Sequence, residues 1–115
     1  MKSPITTHVL DTTRGRPAVG MKVILEVYTA AKEWKELARG ETDADGRIMD
    51  LLHETVKLAA GTYRLTFLTE GYFRSIGQDG FYPSIPEVFE LKDPITRYHV
   101  PLLLSPFGYS TYRGS

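Results

Sequence analysis

Met21-Lys22-Val23-Ile24-Leu25-Glu26-Val27-Tyr28 repeats with the period of a pleated strand. Met21, Val23, Leu25 and Val27 share one face, while Lys22, Ile24, Glu26 and Tyr28 take the other. One apolar face recurring at every second residue predicts a half-buried strand. The same pattern of short alternating runs, broken by Gly, Pro, Asp and Thr clusters, extends in both directions. Towards the start, residues 5–11 read as a first strand, ended by Thr12-Thr13-Arg14-Gly15-Arg16-Pro17. Towards the end, residues 34–42 form a third strand. They lead into the turn Asp43-Ala44-Asp45-Gly46, where the glycine supplies positive φ. Residues 48–52 suit a short edge strand.

Residues 62–69 read as a further strand, opened by Gly61, and 71–77 as one or two helical turns. Residues 80–86 contain two prolines and read as loop. Strands over 88–91, 97–104 and 109–112 complete the set. About eight short strands with at most one short helix predict an all-β sandwich. The length of 115 residues suits one domain, 1–115, with a single core.

Composition narrows the function classes. Lys plus Arg and Asp plus Glu balance at 14 each, so there is no basic footprint for nucleic acid. No apolar run approaches the length of a transmembrane helix, and no polybasic segment points to a membrane. Cysteine is absent, which removes a disulfide framework and a thiolate metal site. No charged leader precedes an apolar segment, and Arg113-Gly114-Ser115 is not a peroxisomal tripeptide; the expected location is the cytoplasm.

Two strands carry histidines on the face opposite their apolar residues. In the run 97–104, Tyr98, Val100, Leu102 and Leu104 form the core face, so His99, Pro101 and Leu103 point outward. Pro101 cannot donate to a ladder, and predicts an edge, a bulge or a stretch of backbone left free. In the first strand Thr6, His8 and Leu10 share a face, as Ser110, Tyr112 and Gly114 do in the last. Each residue also has a bland reading. A lone strand histidine is usually a structural or surface residue, and Arg47 after an Asp-x-Asp-Gly turn is usually solvated. Asp43-Ala44-Asp45-Gly46 lacks the later glutamate of a calcium loop. Two histidines without a third ligand fall short of a zinc site. His53, in Leu51-Leu52-His53-Glu54, is expected to be exposed.

Three blocks taken in order outweigh those readings. Thr7-His8-Val9-Leu10-Asp11-Thr12 with Gly15-Arg16-Pro17-Ala18 forms the first, and Thr42-Asp43-Ala44-Asp45-Gly46-Arg47 the second. The third is Tyr98-His99-Val100-Pro101-Leu102-Leu103-Leu104-Ser105-Pro106, followed by Tyr109-Ser110-Thr111-Tyr112-Arg113-Gly114-Ser115. Together they resemble the 5-hydroxyisourate hydrolases, the transthyretin-related proteins of urate breakdown, over essentially the whole chain. The resemblance implies a transthyretin-like (prealbumin-like) β-sandwich assembled as a homotetramer. It implies hydrolysis of 5-hydroxyisourate, a small-molecule substrate, to 2-oxo-4-hydroxy-4-carboxy-5-ureidoimidazoline, with no metal or organic cofactor. In that family the strands bearing His8 and His99 line a channel between subunits, with the C-terminal segment beside them and Arg47 at the mouth.

The catalytic residues implied are His8, Arg47 and His99. Substrate contacts are implied for His8, Arg47, Tyr112, Arg113, Gly114 and the terminal Ser115. Histidine suits deprotonation of water near neutral pH; arginine suits holding an oxyanion. The general-base role goes to His99, with His8 equally placed for it. By alternation Arg113 faces away from Tyr112, a position suited to anchoring the strand end. The chain departs from the family in the region 78–87, which carries an extra residue or two. A transthyretin-like carrier of a small ligand is the alternative, although the hormone carrier lacks His8, His99 and the Tyr112-Arg113-Gly114-Ser115 ending. A structural β-sandwich module is the third.

Overall fold

The computed structural model describes residues 3–93 and 97–114. Strands β1 (Ile5–Asp11), β2 (Arg16–Pro17), β3 (Lys22–Tyr28), β4 (Trp34–Glu41) and β5 (Arg47–Ile48) come first. They are followed by β6 (Gly61–Phe67), helix α1 (Thr69–Ser75), β7 (Ile85–Leu91), β8 (Tyr98–Ser105) and β9 (Gly108–Thr111). One sheet has the order β2-β1-β8-β9, with β5 also paired to β1; the other has the order β4-β3-β6-β7. The two sheets form the expected β-sandwich.

The strand that decides the fold behaves as its alternation requires. Met21, Val23 and Leu25 are fully buried, while Lys22 and Tyr28 are exposed. They share the core with Val9, Leu102 and Leu104 from the first sheet and with Leu65 and Phe67 from the neighbouring strand β6 of their own sheet. Removing these side chains from water supplies the main driving force for folding.

Several boundaries differ from the sequence reading. Helix α1 begins two residues earlier than expected. Thr69 Oγ1 donates to the Tyr82 carbonyl, and Glu70 N–H donates to the Pro83 carbonyl at 3.0 Å; both tie its first turn to the following loop. Gly77, with φ of 67°, lies just past the helix end, where left-handed backbone favours glycine. Strand β7 starts at Ile85 and takes in Pro86, part of the stretch expected to be loop. β7 is an edge strand, where proline is tolerated. The expected strand over 48–52 is reduced to Arg47–Ile48, because the chain then turns to bury Leu51 and Leu52.

β1 and β8 lie side by side and parallel, with Thr6 opposite His99, His8 opposite Pro101, and Leu10 opposite Leu103. β8 is therefore an interior strand, and Pro101 within it is buried. β9 pairs with β8 from Leu102 to Ser105, and among the described residues the chain rejoins β8 at a single bridge between Gly114 and His99. The Pro101 carbonyl accepts from Thr111 Oγ1 at 2.7 Å, so the nitrogen of the same residue also faces the β9 side. The missing N–H falls where the pairing is interrupted and leaves no gap in a ladder.

Candidate functional site

Arg47 is delivered by the turn that precedes it. Asp43 Oδ1 accepts the N–H groups of Asp45 at 2.8 Å and Arg47 at 3.0 Å. The Arg47 carbonyl in turn accepts from Asp43 N–H at 3.0 Å. The two bonds to the carboxyl, led by that from Arg47 N–H, hold it below its ordinary range. Gly46 is required twice over. Its φ is 74°, and a Cβ there would lie 2.5 Å from the Val9 carbonyl oxygen. That close approach lets the Gly46 carbonyl accept from Val9 N–H at 2.8 Å, which docks the turn on β1. Arg47 is thereby paired with His8 across the β1–β5 ladder.

His99 is reached from the other side of β1. Thr6, its partner in the parallel register, places Oγ1 2.8 Å from His99 Nδ1. Gly114 N–H donates to the His99 carbonyl at 2.8 Å, and a Cβ at Gly114 would lie 2.7 Å from His99 Cδ2. The imidazole is thus held between a β1 hydroxyl and the bare backbone of Gly114. A cavity of about 220 Å³ opens over this face, lined by Ser3, Thr6, Arg47, Met49, Arg97 and His99, with Tyr98. His8 stands on the same face, half-buried, next to Arg47.

Among the residues singled out in the sequence, His8, Arg47, His99 and Gly114 come together on the outward face of one sheet. Arg113 does not join them there: its guanidinium lies 4.5 Å from the centroid of the Tyr98 ring, an anchoring contact for the chain end. Tyr112 is exposed, and with Arg113 it borders a separate cavity of about 370 Å³ beside Glu87, Val88 and Lys92. Burial holds the Glu87 carboxyl above its ordinary range. Ser115 lies outside the described residues. His53 is exposed and bonds locally to Thr55 at 2.7 Å. Among the described residues no three His, Cys, Asp or Glu side chains are grouped as metal ligands, and no helix is long and apolar enough to cross a membrane.

Thr6, Met49 and Arg97 were not singled out in the sequence as site residues. Alternation places Thr6 on the face of His8, but its contact with His99 depends on the β1–β8 register. No local pattern marks Met49 or Arg97.

The family model described as HIUase/Transthyretin family matches residues 5–114. The 5-hydroxyisourate hydrolase of Mus musculus is 46% identical over 114 residues, covering 98% of this chain and 96% of its own. Among solved structures, sea bream transthyretin in complex with thyroxine superposes with a TM-score of 0.91 at 34% identity, covering 97% of this chain and 95% of that one. The Klebsiella pneumoniae 5-hydroxyisourate hydrolase gives 0.83 at 35% identity, covering 96% and 98%.

Proposed function

Because this chain belongs to the HIUase/transthyretin family, we propose that it hydrolyses 5-hydroxyisourate, opening the six-membered ring to give 2-oxo-4-hydroxy-4-carboxy-5-ureidoimidazoline. The observation that carries this reading is that Arg47 and His99 line one cavity on the outward face of the first sheet, with His8 paired to Arg47 on that face. Hydrolysis of a cyclic amide needs a base for water, a donor for the developing oxyanion and a means of holding the ring. Two imidazoles and a guanidinium meet those needs without a cofactor. The Arg47 guanidinium offers a planar fork of donors to the carbonyl oxygen. Gly114, lacking a side chain, leaves room for the His99 ring.

The reading includes a homotetramer in which this face lines a channel between subunits, and it places the enzyme in the cytoplasm. The cysteine-free composition is compatible with a reducing compartment. The likeness to a thyroxine-bound transthyretin favours a second reading, a small-ligand carrier using the same face. An ultraviolet time course of 5-hydroxyisourate, freshly made from urate by urate oxidase, separates the two. Decay accelerated in proportion to added protein is expected. Decay at the spontaneous rate, with the protein folded and tetrameric, would favour the carrier.

A further inference from the structure

We infer that Arg97 and Arg47 together make the cavity beside His99 a carboxylate site, taking the charged group that ring opening creates. Which carboxylate it takes rests on the hydrolase reading above; the preference for a carboxylate does not.

Arg97 directly precedes β8 and stands two residues before His99. Its Nη1 donates to the Ser3 carbonyl at 3.5 Å. Ser3 is 2% exposed, and its N–H donates at 2.9 Å to the carbonyl of Met49, just beyond β5 and Arg47. One buried residue therefore ties together the two segments that carry the arginines. Both arginines line the cavity of about 220 Å³ that His99 also lines. Ligand pockets commonly run from roughly 300 to 1,000 Å³, so this one suits a single small ring.

Charge gives the cavity its selectivity. Two guanidiniums and an imidazole line it, and among the described residues of its lining none is acidic. On a chain whose charged side chains balance at 14 each, that is a local excess of positive charge. A guanidinium has five N–H donors, so it can hold the Ser3 carbonyl and a ligand at once. Its planar fork matches the two oxygens of a carboxylate.

The bond changes of ring opening supply such a group. The oxygen of water bonds to the ring carbonyl carbon, the C–N bond breaks, and the leaving nitrogen takes one proton from the water. The acid so formed releases the other proton. Before the reaction the amide presents one uncharged oxygen, which Arg47 alone can serve. Afterwards two oxygens share a negative charge, and a second guanidinium adds most to that state. Arg97 is thus a binding residue for the product end of the reaction.

The test is isothermal titration calorimetry of the full chain with imidazole-4-carboxylate, a five-membered ring bearing the charged group. Its uncharged counterpart, imidazole-4-carboxamide, is titrated beside it. At about pH 8 the carboxylate is ionised and its ring neutral. The carboxylate should bind about 10- to 100-fold tighter than the carboxamide, the effect of a charge-assisted pair. Arg97→Gln should lower that preference about 10-fold. Arg97→Lys, which keeps the charge without the fork, should lower it less. Arg39→Gln, which removes an exposed arginine from β4 in the other sheet, should leave it unchanged.

Wild-type protein that binds both probes equally, or neither at millimolar concentration, overturns the proposal. So does an effect of Arg39→Gln as large as that of Arg97→Gln, which would assign the preference to net charge. An unchanged preference in Arg97→Gln, or in Arg97→Lys should the first variant fail to fold, overturns it as well. A carboxylate preference that depends on Arg97, in protein that does not accelerate decay of 5-hydroxyisourate, defeats the hydrolase reading alone.

Discussion

At the scale of single residues, the site is built from side chains and from one missing side chain. A Cβ added at Gly114 would sit 2.7 Å from His99 Cδ2 and 3.1 Å from Pro101 Cγ. Pro101 is held in an interior strand, so the imidazole must give way. Gly114→Ala is expected to lower kcat about 10- to 100-fold, the penalty of a misplaced catalytic group, while the melting temperature changes little. Unchanged turnover would mean that the His99 position is not critical. His99→Ala and Arg47→Ala should each remove about 10²–10³-fold of activity and leave the elution volume of the protein unchanged. Full activity in both variants would sink the site assignment. The outward direction of His8 and His99 was legible from alternation. The bond from Thr6 to His99 was not, because it joins residues 93 apart in sequence.

At the scale of elements, the Asp43–Gly46 turn and helix α1 show how a local motif is tied to the sheet. The Asp43 carboxyl is held below its ordinary 3.8 by the hydrogen bonds it accepts, chiefly from Arg47 N–H. A depressed carboxylate contributes stability that is present above its unfolded value and lost as pH falls through the folded value. Melting temperatures measured between about pH 2 and 6 should fall on the acid side in the wild type. Asp43→Asn should remove part of that dependence. Asn can still accept the turn bonds, so most activity should survive in Asp43→Asn and less in Asp43→Ala. An acid limb identical in wild type and Asp43→Asn would rule out this contribution.

The helix is fastened by a buried pair. Tyr72 Oη donates to Asp11 Oδ2 at 2.7 Å, and Asp11 is 1% exposed. Burial, reinforced by that bond, pushes the Tyr72 hydroxyl up to about 12. Tyr72→Phe leaves a buried carboxylate with one donor fewer. It should cost about 2 kcal/mol, typical of a bond to a charged group, measured by urea unfolding at neutral pH. The turn was legible in Asp43-Ala44-Asp45-Gly46. The helix boundary was not, because its start is set by bonds to the Tyr82 and Pro83 carbonyls, which no helix pattern encodes.

At the scale of the whole molecule, stability rests on the core between the two sheets. Leu65 and Phe67 are fully buried in β6, an interior strand of the second sheet. Leu65→Ala should cost about 2–5 kcal/mol and Phe67→Ala about 3–5, large fractions of an ordinary domain's stability. Denaturant midpoints would check both, and a loss below about 1 kcal/mol for Phe67→Ala would show that the core refills the space.

What the sequence determined by itself was most of the strands, their buried faces and the all-β sandwich. Each follows from alternation and turn chemistry within a few neighbouring residues. Family membership was also legible, because three ordered blocks span the chain. Only the tertiary structure decided that β1 lies parallel to β8, that Pro101 occupies an interior strand beside a break in pairing, and that Arg113 packs on Tyr98. Strand pairing between distant segments is set by how two apolar faces fit together, and no local pattern records it. The same register joins Thr6 to His99 and seats that ring beside Gly114, so the arrangement of the site belongs to the folded chain.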